Sequence, residues 1–307
     1  MKLILTDDVR CCPAHLPSNY RLVKVDAKSL QGYNGNNDVE IVLCTRALAR
    51  VICHVNLPSC KMVHLFSVGY DNVDVSFFKE REIALCNAAG IYDNVLAEYV
   101  VYAMLLYAKR FRRSIKNRLF RPFRNYHYMT ELAGKTVGIM GCGRIGTAIS
   151  KHLSGFNMTI VGYAKNTTEK EGFGKIYHKE NIGEFFSSCD FVVNTLPHDK
   201  STIGLIDSNL LGKAKRTMTL VNIGRDSIFA GNDFYNWLKR NKDATAILDM
   251  FDIIPNPITN KYRRLSNVLV MPRVAAISQE SESALRDLLS ENMQLAIDGK
   301  ELKNRIV

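Results

Sequence analysis

The segment GKTVGIMGCGRIGTAISKH, residues 134–152, decides how the rest of the chain is read. Its apolar run (Val137, Ile139, Met140) has the character of a buried parallel strand. The run breaks at Gly141-Cys142-Gly143, Gly146 completes a G-x-G-x-x-G pattern, and Ile145, Ala148, Ile149 and Leu153 recur at helical spacing. The order has a chemical reason. The first glycine permits a tight turn, the second lets backbone approach a pyrophosphate, and the third lets helix pack on strand. The helix N-terminus then offers its free N–H groups to the phosphates. Such a pattern is weak alone and specific when a strand precedes it and strand–helix alternation follows.

That alternation is present. Residues 158–163, 190–196, 218–223, 244–251 and 267–271 read as strands, separated by helical patterns at 182–188, 207–214 and 233–241. This is the doubly wound α/β signature. Upstream, strand patterns at 2–5, 21–25, 40–44, 62–67 and 83–86 form another α/β domain, with a turn cluster at 32–37. Thr45-Arg46 follows directly on a strand end, where ligands contact open α/β sheets, which makes Arg46 a candidate substrate contact. Residues 94–109 are apolar almost all round, which predicts a helix buried between layers or domains. Its lone acid, Glu98, then reads as a buried hydrogen-bond acceptor. From Ser278 a last helix, with Leu285, Leu288, Leu289, Met293, Leu295 and Ile297 on one side, returns the chain to the first domain.

Composition bounds the function. The 307 residues suffice for two domains, and a hydrophobic fraction of 47% is ordinary for a globular chain. The formal charge of +11 concentrates locally only at Lys109, Arg110, Arg112, Arg113, Lys116, Arg118, Arg121 and Arg124. No nucleic-acid motif accompanies it. The run reads as a solvated helix end with a general attraction for small anions, so neither nucleic acid nor membrane is an expected partner. Eight cysteines include no C-x-x-C pair and no metal-ligand spacing; they read as reduced thiols of a cytoplasmic protein, and no metal is expected. Asp7, Asp8 and Arg10 after a short apolar start argue against a signal peptide, and no apolar run reaches membrane-spanning length.

The second strand of a dinucleotide domain commonly ends in an acid that binds the ribose hydroxyls of NAD. Here it ends Gly162-Tyr163-Ala164-Lys165-Asn166-Thr167-Thr168, without an acid. Ala164, Lys165 and Asn166 would accommodate a 2′-phosphate and Lys165 would pair with it. His198 and Lys200 sit on a segment able to approach the same ribose. The cofactor is read as NADP ahead of NAD.

Further motifs occur in a fixed order. They are Val68-Gly69-Tyr70-Asp71-Asn72-Val73-Asp74; Asn87-Ala88-Ala89-Gly90 with Leu96-Ala97-Glu98; and Leu132-x-Gly134-Lys135-Thr136-Val137-Gly138. Leu196-Pro197 with Thr202-x-Gly204 and Asn222-Ile223-Gly224-Arg225 follow. Over nearly its whole length the chain resembles the D-isomer-specific 2-hydroxyacid dehydrogenases, to which glyoxylate and hydroxypyruvate reductases and phosphoglycerate dehydrogenase belong. The resemblance implies a flavodoxin-like substrate domain, residues 1–95 plus 279–307, with a Rossmann cofactor domain, residues 96–278, inserted in it. It implies a homodimer formed through the cofactor domains. Hydride would pass between nicotinamide C4 and C2 of a 2-oxo or 2-hydroxy acid. The substrate carboxylate would meet backbone N–H groups near Val68, Gly69 and Tyr70 and the fork of Arg225. The cofactor would be held by Gly141, Gly143, Arg144, Ile145, Gly146, Leu196, Pro197, His198, Thr202, Ile223, Gly224, Arg225 and Asp249.

The acid–base pair departs from the family pattern. Its histidine follows a proline after the last strand, where this chain has Pro272-Arg273; its glutamate lies just before the proline that follows Asp-Val-Phe-Glu, where this chain, reading from Asp249, has Ile254-Pro255. A positioned acid–base group is worth about 10²–10⁴-fold in rate. Arginine stabilises an oxyanion but keeps its proton at neutral pH. Three readings follow. In the first, the protein is a reductase using Arg225 and Arg273, with Tyr92 or Tyr70 as proton donor. In the second it is a cofactor-binding sensor with impaired catalysis. The third, a basic interaction protein, has the least support. His54, His64 and His127 are the histidines that could stand in for the missing one.

Overall fold

The structure is a computed structural model and describes residues 1–31, 36–109, 129–249 and 261–307. Most of the basic run, the Tyr126-His127-Tyr128 stretch and Ile254 lie outside the described residues. The chain forms two compact units, Met1–Tyr92 with Ile277–Val307, and Asp93–Ala276.

In the first unit β1 (Lys2–Thr6), β2 (Tyr20–Lys24), β3 (Val39–Cys44), β4 (Met62–Leu65) and β5 (Ala84–Cys86) make a parallel sheet in the order β2-β1-β3-β4-β5. This is the flavodoxin order. Every residue of β3 is buried, as expected of a central strand covered on both faces. The alternation is legible in neighbours: Leu5 and Val42 face one core, Ile4, Ile41 and Leu43 the other. Glu40 is the charged residue in β3, and its carboxylate takes Lys2 at 2.7 Å, Lys61 at 3.3 Å and the Tyr20 hydroxyl. Helices α1 (Ala27–Gln31), α2 (Arg46–Ile52) and α3 (Val75–Glu80) connect the strands, the last two capped by Thr45 and Asp74.

The second unit opens with α4 (Asp93–Ala108). Then come β6 (Thr136–Met140), α5 (Arg144–Leu153), β7 (Thr159–Tyr163), β8 (Lys175–Tyr177), α6 (Ile182–Ser188) and β9 (Phe191–Asn194). They are followed by α7 (Ser208–Lys213), β10 (Thr219–Asn222), α8 (Asp233–Arg240), β11 (Thr245–Leu248) and β12 (Val268–Val270). The parallel sheet runs β12-β11-β10-β9-β6-β7-β8. Strand order reverses between β6 and β9, which opens the crevice where such sheets bind nucleotides. The three-residue β8 escapes a sequence reading because it is too short to show periodicity.

The reading of α4 needs correction. One face, Leu96, Ala97, Val100, Ala103, Met104 and Ala108, is buried, and the helix packs against α5. The other face is open: Glu98 is exposed rather than a buried acceptor, and Tyr102 is 49% exposed. Apolar residues all round concealed which face the protein covers.

The final helix, α9 (Gln279–Ile297), is capped by Ser278 in a reciprocal box with Ser281. Leu285, Leu289 and Met293 fill the first unit's core beside Ile4, Ile41 and Leu43. The chain end adds to that unit, with Ile306 N donating to Leu85 O at 2.7 Å.

Candidate active site

The turn from β6 to α5 gives its glycines three different jobs. Gly141 has φ +102°, where an L side chain is strained, and a Cβ there would meet the Thr195 hydroxyl. A Cβ on Gly146 would drive into the Gly141 carbonyl, so this glycine brings helix against strand. A Cβ on Gly143 would meet nothing within 4 Å. Gly143 is also the N-cap of α5 and supplies no side-chain cap, which leaves the first-turn N–H groups for an anion. This cradle fits a dinucleotide pyrophosphate. Ile145 is half-buried, and exposed Arg144 is held by Asp93, Nε to Oδ2, at 3.1 Å. Cys142, inside the turn, is pushed up to about 11 by burial and stays a neutral thiol.

Beyond β7, Ala164 is buried with its carbonyl 2.8 Å from His178 Nδ1, and Lys165 and Asn166 are exposed. The Ser201 hydroxyl holds the Asp199 carboxyl below its ordinary range, with the charge of Lys165 contributing. The ends of β7 and β9 therefore face a common region.

The loops after β9 and β10 are locked together by two fully buried amides that the sequence reading missed. Asn194 Nδ2 donates to Asn222 Oδ1 at 2.8 Å, and Asn194 Oδ1 accepts from Leu196 N at 3.1 Å. Asn222 Oδ1 also accepts from Gly224 N at 3.0 Å, while its Nδ2 donates to the Arg225 carbonyl at 3.1 Å. A Cβ on Gly224 would lie 2.7 Å from Asn194 Nδ2 and 2.9 Å from Leu196 O, so only glycine lets these loops meet. Ile223 N donates to Asn194 O. Farther out, His198 Nδ1 lies 2.7 Å from Ser227 Oγ, and the Thr202 hydroxyl donates to Pro197 O at 2.6 Å. Arg225 is half-buried on this braced loop, with Nη1 donating to Gly224 O at 3.1 Å.

One strand over, Asp249 is buried at the end of β11. Its two oxygens accept from Val274 N at 2.9 Å and Ala275 N at 3.0 Å. It thereby anchors the turn after β12. The buried Tyr99 hydroxyl of α4 lies beside it, pushed up by burial and then by the Asp249 charge. Arg273, exposed at the start of the anchored turn, has φ +60°.

In the first unit, Arg46 forms an ion pair with Asp71, both side chains largely covered, so this candidate substrate contact already has a carboxylate partner. Val68 O accepts from Asn87 Nδ2 at 2.7 Å and Gly69 O from the Ser67 hydroxyl at 2.9 Å. Tyr70 is 43% exposed, and Asn72 takes the left-handed conformation that closes its turn. Tyr92 corrects an expectation. Its hydroxyl donates to Phe66 O at 2.7 Å and burial pushes it up to about 12, so the phenol keeps its proton. Of the three histidines, His54 is exposed, His64 is wholly buried and His127 lies outside the described residues.

Among the described residues, no group of three or more His, Cys, Asp or Glu could hold a metal ion, and no helix is long and apolar enough to cross a membrane. All eight cysteines are free thiols.

Residues 100–275 match the family model for the D-isomer specific 2-hydroxyacid dehydrogenase NAD binding domain. The chain is 31% identical over 245 residues to the glyoxylate reductase of Korarchaeum cryptofilum, covering 77% of this chain and 73% of that one. It is 32% identical over 253 residues to the glyoxylate reductase of Pyrococcus furiosus, covering 78% and 73%. Among solved structures it is similar to the NADPH-dependent glyoxylate/hydroxypyruvate reductase of Sinorhizobium meliloti in complex with citrate. The TM-score is 0.85 at 24% identity, over 100% of this chain and 97% of that one. The chain belongs to the D-isomer specific 2-hydroxyacid dehydrogenase family. Its class is that of NAD(P)-dependent oxidoreductases acting on small 2-hydroxy and 2-oxo acids.

Proposed function

We propose that the protein reduces a 2-oxo acid to the D-2-hydroxy acid, with NADPH preferred over NADH. The observation that carries this is the pairing, in one sheet, of an open α5 N-terminus at Gly143 with Arg225 on a loop braced by Asn194 and Asn222. Bound nicotinamide supplies the hydride for C2 of the acid. Arg225 grips the substrate carboxylate with its fork and keeps C2 in a fixed orientation. Gly141, Gly143, Arg144, Ile145 and Gly146 hold the pyrophosphate; Leu196, Pro197, Thr202, Ile223 and Gly224 line the nucleotide path; Lys165, beside Ala164 and Asn166, receives the 2′-phosphate. His198 is assigned to the ribose. Val68, Gly69, Tyr70 and Arg46 are assigned to the substrate from the first unit.

Arg225 stabilises the developing alkoxide electrostatically, and Tyr70 is the candidate proton donor that remains, since Tyr92 is committed to Phe66 O. A second reading, a cofactor-binding sensor with little turnover, is favoured by Arg273 at the place of the family's histidine. The protein is proposed to form a homodimer through its cofactor unit; the open face of α4, with Val101, Tyr102, Leu105 and Leu106, supports this. The free thiols support a cytoplasmic location.

The test is NADPH and NADH oxidation with glyoxylate, hydroxypyruvate, pyruvate, oxaloacetate and longer 2-oxo acids, beside a fluorescence titration of cofactor binding. Turnover with any acid, faster with NADPH, supports the reductase. Tight cofactor binding with a flat trace across the panel supports the sensor.

A further inference from the structure

We propose that Arg273 binds a second anionic group of the substrate, which makes the protein selective for 2-oxo acids that carry two anionic groups. This rests on the reading of Arg225 as the carboxylate grip. The residues stand on three adjacent strands of one parallel sheet: Arg225 after β10, Asp249 after β11 and Arg273 after β12. Strand order and register put the ends of β10 and β12 about 10 Å apart, at roughly 4.8 Å per strand. A short carbon chain with an anion at each end spans such a gap when two guanidinium forks meet it from either side.

The backbone of the turn that carries Arg273 is fixed from the neighbouring strand. Arg273 has φ +60°, a conformation that an L side chain adopts at a cost and that persists only where its surroundings fix it. The fixing group is Asp249, whose two oxygens each hold one of the next two backbone N–H groups, at 2.9 and 3.0 Å. Because Asp249 is buried and already engaged by those N–H groups, its charge is partly answered before any ligand arrives. A guanidinium keeps its proton, so this strand end carries fixed charge and a forked donor geometry rather than a proton for transfer. That chemistry recognises a carboxylate or a phosphate.

The experiment compares kcat/KM for oxaloacetate, 2-oxoglutarate and 3-phosphohydroxypyruvate with that for glyoxylate and pyruvate, in wild type, Arg273→Ala and Arg273→Lys. Beside it, the NADPH-loaded protein is titrated with malonate and with acetate. The expected result is a wild-type preference for the doubly charged acids and a fall in that ratio by roughly 30-fold or more in Arg273→Ala, carried by KM. Arg273→Lys should restore part of it. Malonate should lose affinity relative to acetate in Arg273→Ala. Which doubly charged acid leads decides between carboxylate and phosphate as the second group. A ratio within threefold of wild type in Arg273→Ala overturns the inference while leaving the reductase standing. Arg273-dependent malonate binding without turnover on any acid overturns the reductase and leaves the anion site standing. Neither turnover nor malonate binding overturns both.

Discussion

Two stretches of the same sheet are equally well braced and present different groups. At the β6–α5 turn every position that a dinucleotide needs is filled as physics requires: a first glycine at positive φ, an open second and a packed third. At the ends of β11 and β12 the backbone frame is equally well built, with Asp249 fastening the next turn through two N–H bonds, yet the side chain presented there is Arg273. A braced backbone frame is thus present at both places, one open to an anion at a helix N-terminus and the other carrying a guanidinium.

The contrast can be broken most sharply at Arg225. Arg225→Ala should lower kcat/KM for any accepted 2-oxo acid by about 10²–10³-fold, because it removes one partner of a charged, hydrogen-bonded pair. NADPH affinity, read by fluorescence, should change far less.

The glycines give the next largest effects and separate fold from function. Gly146→Ala forces a Cβ into the Gly141 carbonyl and should cost about 3 kcal/mol in urea unfolding. Gly143→Ala adds a Cβ that meets nothing within 4 Å, so stability should hold while NADPH affinity falls at least about tenfold. Equal losses of stability in both variants would erase the distinction between the two positions.

His64, in the first unit, tests a region with no assigned chemistry. Its ring is fully buried, Nε2 has no partner, and burial lowers it from 6.5 to about 4 against the opposing Leu65 carbonyl. The unfolded chain therefore binds this proton more readily. Stability from the neutral ring is whole above pH 6.5 and declines as pH falls toward 4, by about 3 kcal/mol in all. His64→Leu should flatten that part of the profile, and urea unfolding of both proteins at pH 7.5 and 4.5 measures the difference.

The smallest effect is expected at Lys165. Lys165→Ala should reduce the NADPH over NADH preference roughly tenfold, as loss of one charged contact would. An unaltered preference would take the 2′-phosphate away from Lys165.

Much of this was legible before any coordinates. The glycine turn, the strand–helix alternation and the ordered motifs announce themselves because each depends on local residue types at fixed spacing. What stayed hidden depends on what lies across the sheet. Asn222 stands in one of the ordered motifs, but its link to Asn194 does not show in the sequence, since only strand pairing brings their amides into one buried network. The uniform apolarity of α4 concealed that Glu98 faces outward. Tyr92 looks available as a proton donor until the Phe66 carbonyl appears 2.7 Å away.

The most direct measurement is product analysis after reaction of the NADPH-loaded protein with oxaloacetate, by chiral chromatography beside the absorbance trace. The predicted result is one D-2-hydroxy acid formed for each NADPH consumed, with both lost in Arg225→Ala. NADPH that stays bound and unoxidised, with no hydroxy acid formed from oxaloacetate or any other member of the panel, would contradict it.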